Sequence, residues 1–97
     1  MATFVVLGKF TEKSFESMKN PAMFEEVKKF AKDMGAEIKA WYMLMGQYDE
    51  MSILEAPDAE TASKVVIALS AKYGCRTETL RAFSEAEAKK MCSSHGK

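Results

Sequence analysis

An α+β fold, in which helices pack on one antiparallel four-stranded sheet, is predicted by three observations in this 97-residue chain. Runs with strand character and segments of helical periodicity follow one another as strand, helix, strand, strand, helix, strand, helix. Most helical segments carry their own start or stop residues. The composition, 47% hydrophobic against 29% charged, is that of a globular protein. Ninety-seven residues suit one domain, expected over residues 1–92 with a flexible tail at 93–97. A domain this size buries only about two-thirds of its unfolded surface, so a lone monomer is marginal.

The first strand runs from about Thr3 to Phe10. Phe4 and Val6 point one way and Val5 and Leu7 the other, which marks a central strand covered on both faces. "TEKSFESMK" follows as a short, irregular helical turn. Asn20 reads as an N-cap and Pro21 as the first helical residue, where its missing N–H costs nothing. Met23, Val27, Phe30 and Met34 then form one buried stripe, which Gly35 stops. The second strand spans about Glu37 to Met45 and the third about Tyr48 to Ala56. Pro57 and Asp58 open a helix with Ala62, Val65, Val66 and Leu69 on its stripe, closed by Gly74. The fourth strand covers Cys75 to Phe83. Ser84 with Glu87 forms a capping box for a last short helix. Right-handed crossovers place the first and third strands in the middle of a ferredoxin-like βαββαβ sheet.

Fourteen basic residues balance fourteen acidic ones, which argues against a nucleic-acid surface. No signal peptide or membrane span is readable, so a cytoplasmic protein is expected. Two cysteines, Cys75 and Cys92, make neither a disulfide framework nor a metal-ligand spacing, and no metal or cofactor is expected. Cys75 reads as a small buried hydrophobe, and His95 lies in the polar ending "SSHGK".

Between the second and third strands, Gly46-Gln47 suits a two-residue turn in which glycine supplies positive φ. Met45 then faces Tyr48, Met43 faces Glu50 and Trp41 faces Ser52. Lys39, Trp41, Met43, Glu50, Ser52 and Leu54 share one face; Tyr42, Leu44, Met51 and Ile53 share the other. A longer loop preserves the same two sets. The set with Met51 and Ile53 is the greasier and is expected beneath the helices. The mixed set with Trp41, Met43 and Leu54, joined by Thr77, Thr79 and Arg81, is expected to be left uncovered. An identical sheet is the simplest cover for it, giving a homodimer.

"GQYD" at 46–49 inside "AWYMLMGQYDEMSILEAPD", with "RTETLRAFSEAE" at 76–87 and "ATFVVLGKFTEKS" at the start, resembles the GYD-domain family. The resemblance covers nearly the whole chain. It implies a dimeric α/β barrel, in which two ferredoxin-like sheets face each other, and it implies no assigned biochemical role. Gly46, Tyr48 and Asp49 match the naming motif; no catalytic residue carries over.

Within such a barrel Tyr48 and Asp49 could act as acid and base at its mouth, or simply pack and bond local backbone beside the turn. Glu50 and Arg81 are the stronger chemical candidates: on an interior face they either pair or hold an anionic ligand. Trp41 and Met43 either line that cavity or fill the interface. RNA-recognition modules are excluded by the third strand "YDEMSILEA", and no Ser-His-Asp set or phosphate loop is available. Two readings follow. One is a homodimeric barrel that binds a small anionic or aromatic molecule between its sheets, or serves as an assembly module. The alternative, which rests on fold analogy with the wider superfamily, is a small cofactor-independent enzyme of monooxygenase or isomerase type.

Overall fold

The structure, a computed structural model, describes residues 1–93. The tail expected at 93–97, His95 included, lies outside the described residues except for Ser93. The elements run β1 (Ala2–Lys9), α1 (Glu12–Met18), α2 (Met23–Asp33), β2 (Glu37–Met43), β3 (Glu50–Ala56), α3 (Ala59–Tyr73), β4 (Arg76–Ala82) and α4 (Glu85–Ser93). The strands form one antiparallel sheet in the order β2-β3-β1-β4, with β1 and β3 central as the crossover rule requires.

Local chemistry accounts for the boundaries. Asp58 caps α3 by accepting from the Thr61 N–H at 2.7 Å, which holds its carboxyl below the usual range. Gly74 ends that helix in the left-handed region at φ 79°. Before α4, Ser84 and Glu87 exchange the two bonds of a capping box, at 2.8 and 3.1 Å.

Two helix starts differ from expectation. α1 is a regular helix because Thr11 and Ser14 cap it reciprocally: the Ser14 oxygen accepts from the Thr11 N–H at 3.0 Å, and Thr11 accepts in return from the Ser14 N–H at 3.4 Å. α2 begins at Met23, not Pro21. Asn20 makes a turn of its own, its side-chain oxygen accepting from the Ala22 N–H and its carbonyl from the Met23 N–H.

The β2–β3 connection is longer than a two-residue turn, since β2 ends at Met43 and β3 begins at Glu50. The register is nevertheless the expected one: Trp41 opposes Ser52, Tyr42 opposes Met51 and Met43 opposes Glu50. A bulge between Ile38 and Ala40 adds one residue to β2, moves Ile38 opposite Leu54 and takes Lys39 out of the Trp41 set.

Apart from Lys39, the partition of the hairpin into two faces holds, but the helices cover the opposite face from the one expected. Leu54 is 2% exposed and Phe4, its partner in register, 4%, packed with Ala31, Ala36, Ala62 and Val65. Met51 and Ile53 lie on the other face with Val5 and Leu7, all partly exposed, while Tyr42 is 57% and Leu80 43% exposed. The physical reason lies in β1 and α2. Phe4 outweighs Val5 in apolar area, and it sits where the small Ala31 lets the α2 backbone come close. Hairpin greasiness alone did not contain that information.

α4 buries none of its residues. The Cα radius of gyration, 14.9 Å, exceeds the about 12.5 Å expected for a compact chain of this length, which agrees with a terminal helix standing off the core.

Gly46 has φ 109°, and a Cβ built on it would meet nothing within 4 Å. Any cost of substitution there is therefore backbone strain, not a clash. Gly46→Val is expected to destabilise by at least ~1 kcal/mol and Gly46→Asn by less, because asparagine tolerates positive φ. Denaturant midpoints of the two variants measure this.

Candidate functional site

Gly8 near the end of β1 has no side chain, and that space is taken by Glu50 from β3. A Cβ at Gly8 would lie 2.7 Å from the Glu50 Cγ. Glu50 therefore folds across the strand toward the helices. The Trp41 Nε1–H donates to its Oε1 at 2.8 Å, and the Phe24 ring of α2 meets the indole edge-on at 5.0 Å and 66°. Above this pair stand α2 and α3. A cavity of about 110 Å³ lies between them and the sheet, walled by Met23 and Val27 from α2 and by Val66, Leu69 and Tyr73 from α3. Its polar groups come from the sheet (Glu50, Ser52, Thr77), from Cys75 just before β4, and from the helices (Ser14 on α1, Lys28 on α2 and Ser70 on α3).

Ser14 is the one polar residue buried among the described residues, at 2% exposure. Its oxygen lies 3.5 Å from the Cys75 sulfur. Burial pushes the Cys75 thiol up to about 11, with the Glu50 carboxylate adding to the rise and Ser14 opposing it. The thiol therefore stays protonated at neutral pH and is no nucleophile. Among the described residues, no three His, Cys, Asp or Glu side chains converge to hold a metal ion.

Of the four cavity candidates, the structure brings together two, Trp41 and Glu50. They lie under the helices, not on the uncovered face. Met43 has the right parity but is 60% exposed beyond the helix cover. Arg81 does not reach Glu50. It is paired in register with Phe4, whereas Glu50 is paired with Gly8, four residues along β1 and roughly 13 Å away at strand rise. Its guanidinium lies over the Phe83 ring at 4.3 Å and donates to the Thr3 carbonyl at 3.3 Å and to the Ala82 carbonyl. The carboxylate–guanidinium pair expected from parity is absent within the chain, because parity fixes the face and not the level along the strand.

The turn residues are tied to the sheet. The Asp49 carboxylate accepts from the Phe10 N–H at 2.9 Å, its own N–H donates to the Gly8 carbonyl at 2.8 Å, and its carbonyl accepts from the Leu44 N–H at 2.8 Å. The Tyr48 hydroxyl donates to the Glu78 carboxylate on β4, and that bond raises the phenol above its ordinary pKa. Lys9 stands 5.7 Å from the Tyr48 ring centre. Gly46 bends the loop while Tyr48 and Asp49 staple its base to β1 and β4. The family model described as "GYD domain" matches residues 4–92.

The chain belongs to the GYD-domain family.

The geometry gives its three naming residues a shared task, closure of one end of the sheet. A second comparison adds a protein of Thermus thermophilus, named "Glutamine synthetase and cystathionine beta-lyase binding protein". It is similar to this GYD chain at 34% identity over 89 residues, covering 90% of this chain and 94% of the relative.

Three residues that shape the site escaped the sequence reading, two lining the cavity and Gly8 beneath Glu50, and each had a signal. Gly8 inside a strand marks a close approach of other atoms to the backbone. Ser14 stands three residues after Thr11, the spacing of a reciprocal cap. Phe24 lies one residue outside the stripe assigned to α2, and only the crossing of α2 over β2 turns it toward Trp41.

Cys75 offers a check on the site's polarity. Its folded pKa is raised, so the folded state keeps the proton that the unfolded chain releases near pH 9. The stability associated with this group is intact below that pH and is lost as pH rises toward 11. Cys75→Ala is expected to flatten the fall in unfolding free energy between pH 9 and 11. Below pH 8 it should leave the pH dependence unchanged, as read from denaturant titrations at each pH.

Proposed function

We propose that this GYD-domain chain is a binding and assembly module: a homodimer paired through the open face of its sheet, which presents its outer surface to soluble partner proteins. The observation that carries the reading is that open face. Val5, Leu7, Met51 and Ile53 stand partly exposed at its centre beside the exposed Tyr42 and Leu80, in a chain whose helices all serve the other side or stand off. A contiguous apolar patch of this kind marks an interaction surface.

A second copy suits the patch better than an unrelated cover. Around the apolar centre, Lys9 and Arg76 lie at one end of the face and Glu55 at the other, with Glu78 between, so a two-fold contact that reverses strand direction can set acids against bases. The zero formal net charge adds no self-repulsion. The pairing expected through Trp41, Met43 and Leu54 is replaced, since Leu54 is already buried under the helices.

The name of the Thermus relative supports a protein-binding role for this chain as well. The separation of Arg81 from Glu50 and the bonding of Asp49 to backbone support the binding reading over the catalytic alternative.

Sedimentation equilibrium at micromolar concentration is expected to give twice 10.8 kDa or a multiple of that dimer. Ile53→Lys, which sets a charge at the centre of the patch, is expected to yield a folded monomer. A wild-type monomer with the fold intact excludes the pairing. For the docking half of the proposal, light scattering of the wild-type protein mixed with purified glutamine synthetase or cystathionine beta-lyase should register a complex with at least one. Free components in both mixtures would remove these two enzymes as partners.

A further inference from the structure

We propose that the cavity between α2, α3 and the sheet is a binding site for a small apolar amine, whose hydrocarbon body lies between the helices and whose ammonium group lies on Glu50. This site is on the opposite side of the sheet from the proposed dimer contact, so either proposal can fail without the other.

The size and lining of the cavity set the body of the ligand. At about 110 Å³ it is somewhat smaller than the roughly 150 Å³ cavity that admits benzene in an engineered protein. A branched alkyl chain of four or five carbons fits, and a benzyl group fits with its edge in the open mouth. The walls that receive it, Val27, Val66 and Leu69, are apolar.

Glu50 sets the head group. Its carboxylate accepts from the indole N–H and interacts with the Cys75 thiol, both neutral, and among the described residues Glu50 joins none of the ion pairs, all of which lie on the surface. A carboxylate withdrawn from water toward an apolar cavity is best compensated by a cation. An ammonium brings a full opposite charge to the carboxylate, whereas the matching alcohol brings only a hydroxyl dipole, and that separates the two. Trp41 and Phe24 stand beside the carboxylate, and aromatic rings attract an ammonium further. Ser52 and Thr77, on the same sheet face, offer hydroxyl oxygens to the remaining N–H groups.

An acid of the same shape would bring a second negative charge against Glu50. One cation, Lys28 on α2, does line the cavity, but it is half-exposed and pairs outward with Glu25 at 3.6 Å. The guanidinium that would have favoured anions, Arg81, lies at the other end of the sheet. The anionic or aromatic ligand expected from the sequence is placed between two sheets, whereas the amine proposed for this cavity lies under the helices.

Trp41 is the sole tryptophan and touches Glu50, so its emission reports occupancy. The probes are isopentylamine and benzylamine, set against isopentanol, benzyl alcohol, isovalerate and benzoate, at pH 7. The amines are expected to shift the emission saturably and raise Tm, the alcohols to bind about tenfold more weakly, and the acids to leave both signals unchanged. Glu50→Gln is expected to weaken the amines about tenfold and the alcohols distinctly less, so that the two classes converge. Val27→Phe fills the cavity from α2, keeps the carboxylate, and is expected to abolish binding of amines and alcohols alike. Should Glu50→Gln fail to fold, Val27→Phe and the ranking of the three probe classes still decide. Acids binding as tightly as amines, amines binding equally to Glu50→Gln or Val27→Phe, or no saturable response up to about 10 mM would each overturn the assignment.

Discussion

The architecture depends on the register of β1 between its two neighbours. With Phe4 opposite both Leu54 and Arg81, and Gly8 opposite both Glu50 and Thr77, every side chain of the three strands is assigned a face and a level. A slip of β1 by one residue would send Phe4 to the open face and bring Val5 beneath the helices, parting Phe4 from Leu54. Burying one large apolar side chain is worth about 1.5–3 kcal/mol, whereas each exposed ion pair on the helices is worth about 0–1. The register is therefore set by the Phe4–Leu54 core and by the alanines that let α2 and α3 approach it. The many i,i+4 charge pairs play little part.

Because β1 fixes the level as well as the face, it explains which parts of the molecule were legible in sequence. Element order, central strands, hairpin register, the left-handed glycines at 35, 46 and 74, and the Ser84–Glu87 box all rest on local rules, and all are present. The α2 start was misread because Asn20 has two uses, a helix cap and a turn, and the local sequence favours neither. The covered face was misread because both faces of β1 are apolar. The choice then depends on a comparison of packing volumes across three elements, which no periodicity encodes. Glu50 and Arg81 were rightly given one face, yet sharing a face is a weaker statement than meeting. Four residues of strand separate them.

The GYD motif gains a physical meaning in this frame. Its residues do not converge on a reacting group. Asp49 occupies the polar backbone groups at the end of β1, and Tyr48 spans from the hairpin base to Glu78 on the edge strand β4. A sheet with two edge strands and a marginal monomeric core benefits from such a closure, since an open end would fray and release β4. Placing a phenol and a carboxylate there satisfies hydrogen bonds at little cost in burial, and turn chemistry is enough to explain the residue types.

The two proposed surfaces use opposite sides of the same strands. Along β3, Glu50, Ser52 and Leu54 face the helices, while Met51 and Ile53 face outward; along β1, Val6 and Gly8 alternate with Val5 and Leu7. No side chain belongs to both surfaces, so a substitution on one face leaves the other's contacts in place. Communication between them can pass only through the backbone. The closest point of passage is Gly8: its Cα faces the Glu50 side chain, and its carbonyl receives the Asp49 N–H at the hairpin base. A ligand that moved Glu50 would press on the strand where the motif fastens it. By linkage, whatever energy that movement added to or took from pairing would return unchanged as a difference in ligand affinity between monomer and dimer. A stiff, fully hydrogen-bonded central strand keeps that energy small. The arrangement is therefore one of two nearly independent surfaces on one sheet, insulated by alternation rather than by distance.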